Sequence, residues 1–210
     1  MTRDAVQNKR SESTRILFMR AIEKLAAEKG LANVTTKEIL DEAGQKNQSA
    51  LQYHFGNKNE LFRAVIKRRT LQLEEYRLNL INQWGDTFTD ENAIDILIIP
   101  LVELSTKTVS GHNYVAFLAQ AMTQPKFEVT QMIERYDIPG LGKSVDHLRN
   151  SIREKNPDIS EELIDYKIAS IFDTVMLSVR RFSQAKKLDL KKSQVIDQLR
   201  SICLAILNSK

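Results

Sequence analysis

The chain has 210 residues, of which 42% are hydrophobic and 28% charged, and carries a formal net charge of +4. Such a composition excludes a disordered chain and leaves ample length for a buried core. With only 7 Gly and 4 Pro, too few turn formers are present for an all-β protein, and an all-α fold is expected.

The charge is unevenly spread. Residues 1–70 hold 14 Lys and Arg against 8 Asp and Glu, whereas the remainder holds 17 against 19. A basic module joined to a near-neutral one suits a nucleic-acid reader with a separate second part, although scattered surface lysines would give the same count. Cys203 is alone and cannot form an internal disulfide, which fits a reducing cytoplasm. The polar start Thr2-Arg3-Asp4 gives no signal-peptide core. The longest apolar stretch, Ile94 to Leu104, holds Asp95, Pro100 and Glu103 and is too short and too charged to cross a bilayer. A cytoplasmic protein with no membrane partner is therefore expected.

In chain order, Phe18, Met19, Ile22, Leu25 and Ala26 form one helical stripe that Gly30 ends. A short helix is predicted over 36–43. Thr35 is its N-cap, Glu38 completes a capping box, and Val34 and Ile39 sit at hydrophobic-staple positions. Gly44 breaks the chain, Asn47 is placed to cap a third helix over 48–54, and Gly56 ends it. Asn57 caps a fourth helix, predicted to run to about Ile81 and to join two domains, 10–70 and 71–210. Further helices are predicted over 91–109, 112–122, 126–136, 144–155, 160–184 and 190–208. Gly111, Gln124-Pro125, the 139–142 Pro-Gly-Leu-Gly run, Asn156-Pro157 and the polar 186–192 stretch separate them.

The two short helices make a helix-turn-helix unit. The second presents Lys46, Asn47, Gln48, Ser49, Gln52, Tyr53 and His54, nearly all hydrogen-bonding side chains. Amides pair with adenine edges in the major groove, and Tyr and Lys suit phosphates. Thr35, Thr36 and Lys58 flank this face. A solvated polar helix would look the same in isolation.

Residues from about Thr14 to Ile66 resemble the N-terminal domain of the TetR family of regulators. The likeness rests on an ordered series: Glu28-Lys29-Gly30, Val34-Thr35-Thr36-Lys37-Glu38-Ile39, Glu42-Ala43-Gly44, and Tyr53-His54-Phe55-Gly56-Asn57-Lys58-Asn59-Glu60-Leu61. One departure is visible. The run from Gly44 to Phe55 is one residue longer than is usual, which puts Gln52 where the family often has a tyrosine, with Tyr53 beside it. The resemblance implies a homodimeric, sequence-specific DNA-binding regulator of transcription. Its simplest form is a repressor released from a double-stranded operator by a small effector. DNA binding without a small ligand is the alternative within the same fold, and a small helical enzyme is the alternative outside it.

The resemblance also implies an all-helical second domain with a ligand cavity, its last two helices forming the dimer contact. Phe172, Val175, Val179, Leu199 and Ile202 are the interface candidates. Trp84, Phe88, His112, Tyr114, Phe117, Gln120 and Met122, with Phe127 and Met132, offer an aromatic and flexible apolar lining with few polar groups, suited to a mainly apolar effector. Each is also an ordinary core residue by type. No cofactor or metal is expected, since His54, His112 and His147 lack metal spacing. Gly142-Lys143-Ser144 resembles the end of a phosphate loop but lacks its first glycine and a preceding strand. Cys203 sits in an apolar helix without a basic partner, and no triad or carboxylate pair is apparent.

Overall fold

The computed structural model describes residues 3–47, 49–85, 87–124, 129–185 and 190–209. Every element among them is helical: α1 (Arg3–Lys29), α2 (Thr36–Glu42), α3 (Ala50–Phe55), α4 (Lys58–Trp84), α5 (Asp90–Lys107), α6 (Val109–Ala121), α7 (Val129–Tyr136), α8 (Pro139–Lys155), α9 (Glu161–Gln184) and α10 (Lys192–Asn208), with a 3-10 turn at Leu31–Asn33. The all-α expectation holds.

The start of α2 is the clearest case of sequence dictating structure. The Thr35 hydroxyl accepts from Glu38 N (3.3 Å) and donates to Glu38 Oε2 (2.5 Å), and Thr35 N donates to the same carboxylate (2.9 Å). Lys29, at the end of α1, also pairs with Glu38. Lys29 first, then Thr35, holds the Glu38 carboxyl down at about 2. Gly44 (φ +65°) and Gly56 (φ +80°) end α2 and α3 in left-handed backbone that a side chain would strain.

Three expected boundaries move. The third helix begins at Ala50 instead of residue 48, because Asn47 Oδ1 accepts from Ser49 N (2.9 Å) in a local turn and caps no helix. The break before α6 falls at Thr108, whose hydroxyl accepts from Gly111 N (3.0 Å). Gly111 lies inside the helix, where a Cβ would stand 1.9 Å from Leu104 O. Its role is close packing of α6 on α5, not a turn. The 139–142 run is likewise no breaker: Pro139 opens α8 at its first position, where its missing N–H costs nothing. Gly142-Lys143-Ser144 is accordingly helical, and the Ser144 hydroxyl donates to Ala93 O (2.6 Å). Gln48, Pro125, Phe127, the expected helix start at 126 and residues 186–189 lie outside the described residues.

α5 is the centre of the larger part. It is buried on nearly all sides, as a helix apolar all round must be, and α4, α6, α8, α9 and α10 pack around it. Its one buried acid, Asp95, is held bidentately by Arg200 of α10 (2.8 and 3.0 Å). α1 packs along α6, so the N-terminal helices share one apolar core with the rest. α4 passes through residue 70 without interruption.

Gly111→Ala is expected to lower stability by about 2 kcal/mol, since the methyl group meets backbone that cannot yield without moving α5; urea unfolding measures it, and an unchanged midpoint would mean that the α5–α6 contact is looser than described. The Glu38 carboxyl is expected to titrate near 2 in the folded chain, below its unfolded value. Its contribution to stability is then complete above about pH 4.5 and is lost as the pH falls toward 2. Thr35→Ala should raise that midpoint and cost about 1 kcal/mol; carbon-detected NMR titration of Glu38 in both proteins is the check.

Candidate nucleic-acid interface

α3 has two faces. Ala50, Leu51 and Phe55 are buried, and Ser49, Gln52 and Tyr53 are exposed, Tyr53 by 81%. The inner face is fixed from α1. Arg15 donates to the carbonyl of His54 and lays its guanidinium 4.2 Å over the Phe55 ring, while Phe18 meets Phe55 edge-on at 6.0 Å. Arg15 was not picked out by sequence reasoning; its signal is a contact across thirty-nine residues, which no local pattern carries.

Thr36, Lys46 and Asn47 are exposed with Ser49, Gln52 and Tyr53, so the structure brings these six expected residues to the outside of one helix-turn-helix unit. Three others have different duties. The Thr35 hydroxyl is engaged in the cap of α2. His54 is half-buried, its ring 6.0 Å from Phe18 and 5.0 Å from Tyr53, and burial first, then the Arg15 charge, pushes its pKa down. It is a packing ring between Phe18 and Tyr53. Lys58 turns inward and donates to Val34 O, fastening the start of α4 to the segment before α2.

The expected effector residues do not form one site. Trp84 and Phe88 lie together (6.4 Å) with His147 (5.2 Å from Phe88) and Lys143 (4.6 Å over Phe88). Tyr114 and Phe117 are fully buried in the interior, beside Phe62. Gln120 is a structural tie: its Oε1 accepts from Leu31 N (2.6 Å) and its Nε2 donates to Ala26 O (2.9 Å), joining α6 to the end of α1. Met122 packs half-buried on the core at the far end of α6, and His112 is half-buried in its first turn. A cleft of about 560 Å³ opens instead between α4 and α7, where Lys58, Phe62, Arg63, Ile66, Met132 and Arg135 line it, and none of the seven does.

Of the expected dimer residues, Val175, Val179 and Leu199 are buried in the chain's own core and Phe172 is half-buried against it. Only Ile202 is exposed, at 38%. α9 and α10 turn their most apolar stripes toward the chain's own interior, so the wide apolar face read in the sequence is in the main intramolecular. The outward stripe of α9 carries Leu163, Tyr166 (71% exposed) and Leu177.

Among the described residues no group of three or more His, Cys, Asp or Glu is arranged to hold a metal, and no helix is long and apolar enough to cross a membrane. Cys203 is buried, and burial pushes its thiol up to about 11, away from nucleophile chemistry. No curated protein matches the chain. The family model described as bacterial regulatory proteins, tetR family, matches residues 18–65, the span from the middle of α1 to the second turn of α4 that holds the cap, the turn and the outward face of α3. Over that span the chain carries the N-terminal domain of the tetR family, which implies a DNA-binding regulator of transcription.

Proposed function

We propose that the chain acts as a homodimeric repressor, two copies of α3 entering successive major grooves of an operator and a small effector in the helical part releasing them. The observation that carries the DNA reading is the exposed face Ser49, Gln52 and Tyr53 on a helix whose opposite face is clamped by Arg15 and Phe18, within the basic third of the chain. A reading helix needs such rigid backing, because base-edge hydrogen bonds reward placement to a fraction of an ångström. Support for a dimer comes from the outward stripe of α9 and from Ile202 on α10, large apolar side chains that the single chain leaves in water.

Binding of the full chain to DNA upstream of its own coding sequence, followed by fluorescence anisotropy, tests the reading; affinity no greater than for random DNA would count against a local operator. Gln52→Ala is expected to weaken operator binding by about 1–3 kcal/mol and to leave random DNA nearly unaffected, and an equal loss on both would mean that Gln52 reads no base. Tyr166→Glu combined with Ile202→Glu should yield a folded monomer by light scattering, since both residues are already exposed. It should also bind the operator poorly, because the two half-sites are then engaged singly. A dimer that persists would place the interface elsewhere.

A further inference from the structure

The interior holds a polar cluster that the fold itself does not satisfy. On α4, Thr70, Glu74 and Arg77 follow Phe62 and Ile66 at helical spacing, so all five share one face. Glu74 accepts from Gly140 N and from Leu141 N (3.3 Å) at the start of α8, where the helix dipole favours a carboxylate. Arg77 is only 5% exposed and is ion-paired with Glu74, whose Oε2 stands 3.5 Å from Nη1. Arg77 Nε and Nη1 nevertheless make no hydrogen bond of normal geometry, and neither does the Tyr114 hydroxyl, at 0% exposure. Arg77 and Tyr114 are close enough for the charge of one to act on the proton of the other. Thr70 is next to them, but its hydroxyl donates to Met132 Sδ (3.6 Å).

Buried guanidinium donors without hydrogen bonds are rare, because each forfeits its hydrogen bonds to water with none in return. Arg69, half-buried on the same helix, shows the contrast. Arg69 is held by both oxygens of Glu23 (2.8 and 2.6 Å) and by Ser110 Oγ (2.6 Å). Arg77 and Tyr114 together present three donor atoms still open to an acceptor, Arg77 keeping its ion pair with Glu74, and the two oxygens of a carboxylate can take hydrogen bonds from both residues.

The cleft between α4 and α7 reaches their neighbourhood at Met132. Met132 forms one wall of the cleft between α4 and α7 and is also the partner of Thr70, so it stands between the cleft and the cluster. Its unbranched side chain is the kind that moves aside at little cost. The cleft mouth carries Lys58, Arg63 and Arg135, with Arg63 paired to Glu60, and a positive rim raises the local concentration of anions. Ile66 and Phe62 line the cleft with apolar surface, and Thr70 to Arg77 spans roughly 10 Å of helix.

We infer that the effector of this regulator is a monoanionic organic acid with an apolar body, its carboxylate taken by Arg77 and the Tyr114 hydroxyl and its body lying along α4 past Met132. This rests on the effector reading above and names the chemistry of that site. It keeps the mainly apolar character expected from the sequence but moves the site from Trp84 and Phe88 to the interior face of α4.

The test uses the full-length chain and a fixed set of probes: acetate, butyrate, octanoate, dodecanoate and benzoate, each beside its neutral amide. Thermal shift and calorimetric titration should show binding by at least one of the longer acids and none by its amide. Tyr114→Phe keeps the ring and removes only the hydroxyl, so it should fold as the parent does and bind that acid about tenfold more weakly, the worth of one hydrogen bond to a charged group. Arg77→Met should abolish binding; should that variant fail to fold, the Tyr114→Phe result decides alone. The inference is overturned if no acid binds, if acid and amide bind alike, or if Tyr114→Phe leaves the affinity unchanged. Operator affinity measured with the same probes separates the two readings: release by the neutral amides alone would overturn the anionic site and uphold the effector, whereas an acid that binds through Tyr114 without moving operator affinity would uphold the site and overturn the switch.

Discussion

The Glu23–Arg69 ion pair joins three elements that the chain could otherwise arrange independently. Glu23 stands on α1, beneath the helix-turn-helix unit; Arg69 stands on α4; and Ser110, which accepts from the same guanidinium, opens α6. Glu23 is almost wholly buried and Arg69 nearly so. Neither charge tolerates that burial alone, so any motion that parts α1 from α4 must either rehydrate both or leave a bare charge inside, at a cost of about 3–5 kcal/mol. The pair therefore makes α1, α4 and α6 move as one body. The remaining ties have the same logic at lower energy: Gln120 to the end of α1, Lys58 to Val34, and Arg15 to the end of α3. The outward face of α3 is held at a fixed angle to α4 by this chain of contacts and by the burial of Ala50, Leu51 and Phe55 in the shared core.

What the sequence made legible is what local chemistry decides. The α2 cap was readable because Thr35 and Glu38 act across three residues, and the left-handed glycines 44 and 56 because only their own backbone is involved. The readings that moved all depended on distant partners. Gly111 looks like a breaker until Leu104 O is seen against it. Asn47 looks like a cap until its side chain is found serving Ser49. Val175, Val179 and Leu199 make an apolar stripe that is equally good for a partner or for α5, and only the packing of α9 and α10 on α5 decides between them. The same holds for the effector residues: an aromatic side chain carries no mark of whether it faces a cavity or a neighbour. Arg77 passed unnoticed because an arginine on a long helix is by default a solvated one, and the property that singles it out is its unmade hydrogen bonds in a buried place.

α4 sets the cluster and the reading head on one rod. Its first turn is fastened to Val34 by Lys58, its middle to α1 by Arg69, and its later turns to α8 through Glu74. A ligand held at Arg77 and pressing on Met132 would work on the segment between the second and third of these attachments. On the proposed reading, the unsatisfied donors give such a ligand its differential affinity. The state with the cluster closed leaves Arg77 and Tyr114 without these hydrogen bonds, and the state with an acid inside supplies them. A ligand shifts an equilibrium only by the difference in its interaction with the two states. To carry a population from 1:99 to 99:1 requires about 5.5 kcal/mol. One charged hydrogen-bonded pair contributes about 1.5–3 kcal/mol of that, so burial of the apolar body along Phe62 and Ile66 has to supply the rest, at about 25 cal/mol per Å². The acid group then provides recognition and the apolar body most of the driving force, which is why a short acid such as acetate, with the same head and almost no body, would satisfy the donors without moving α4.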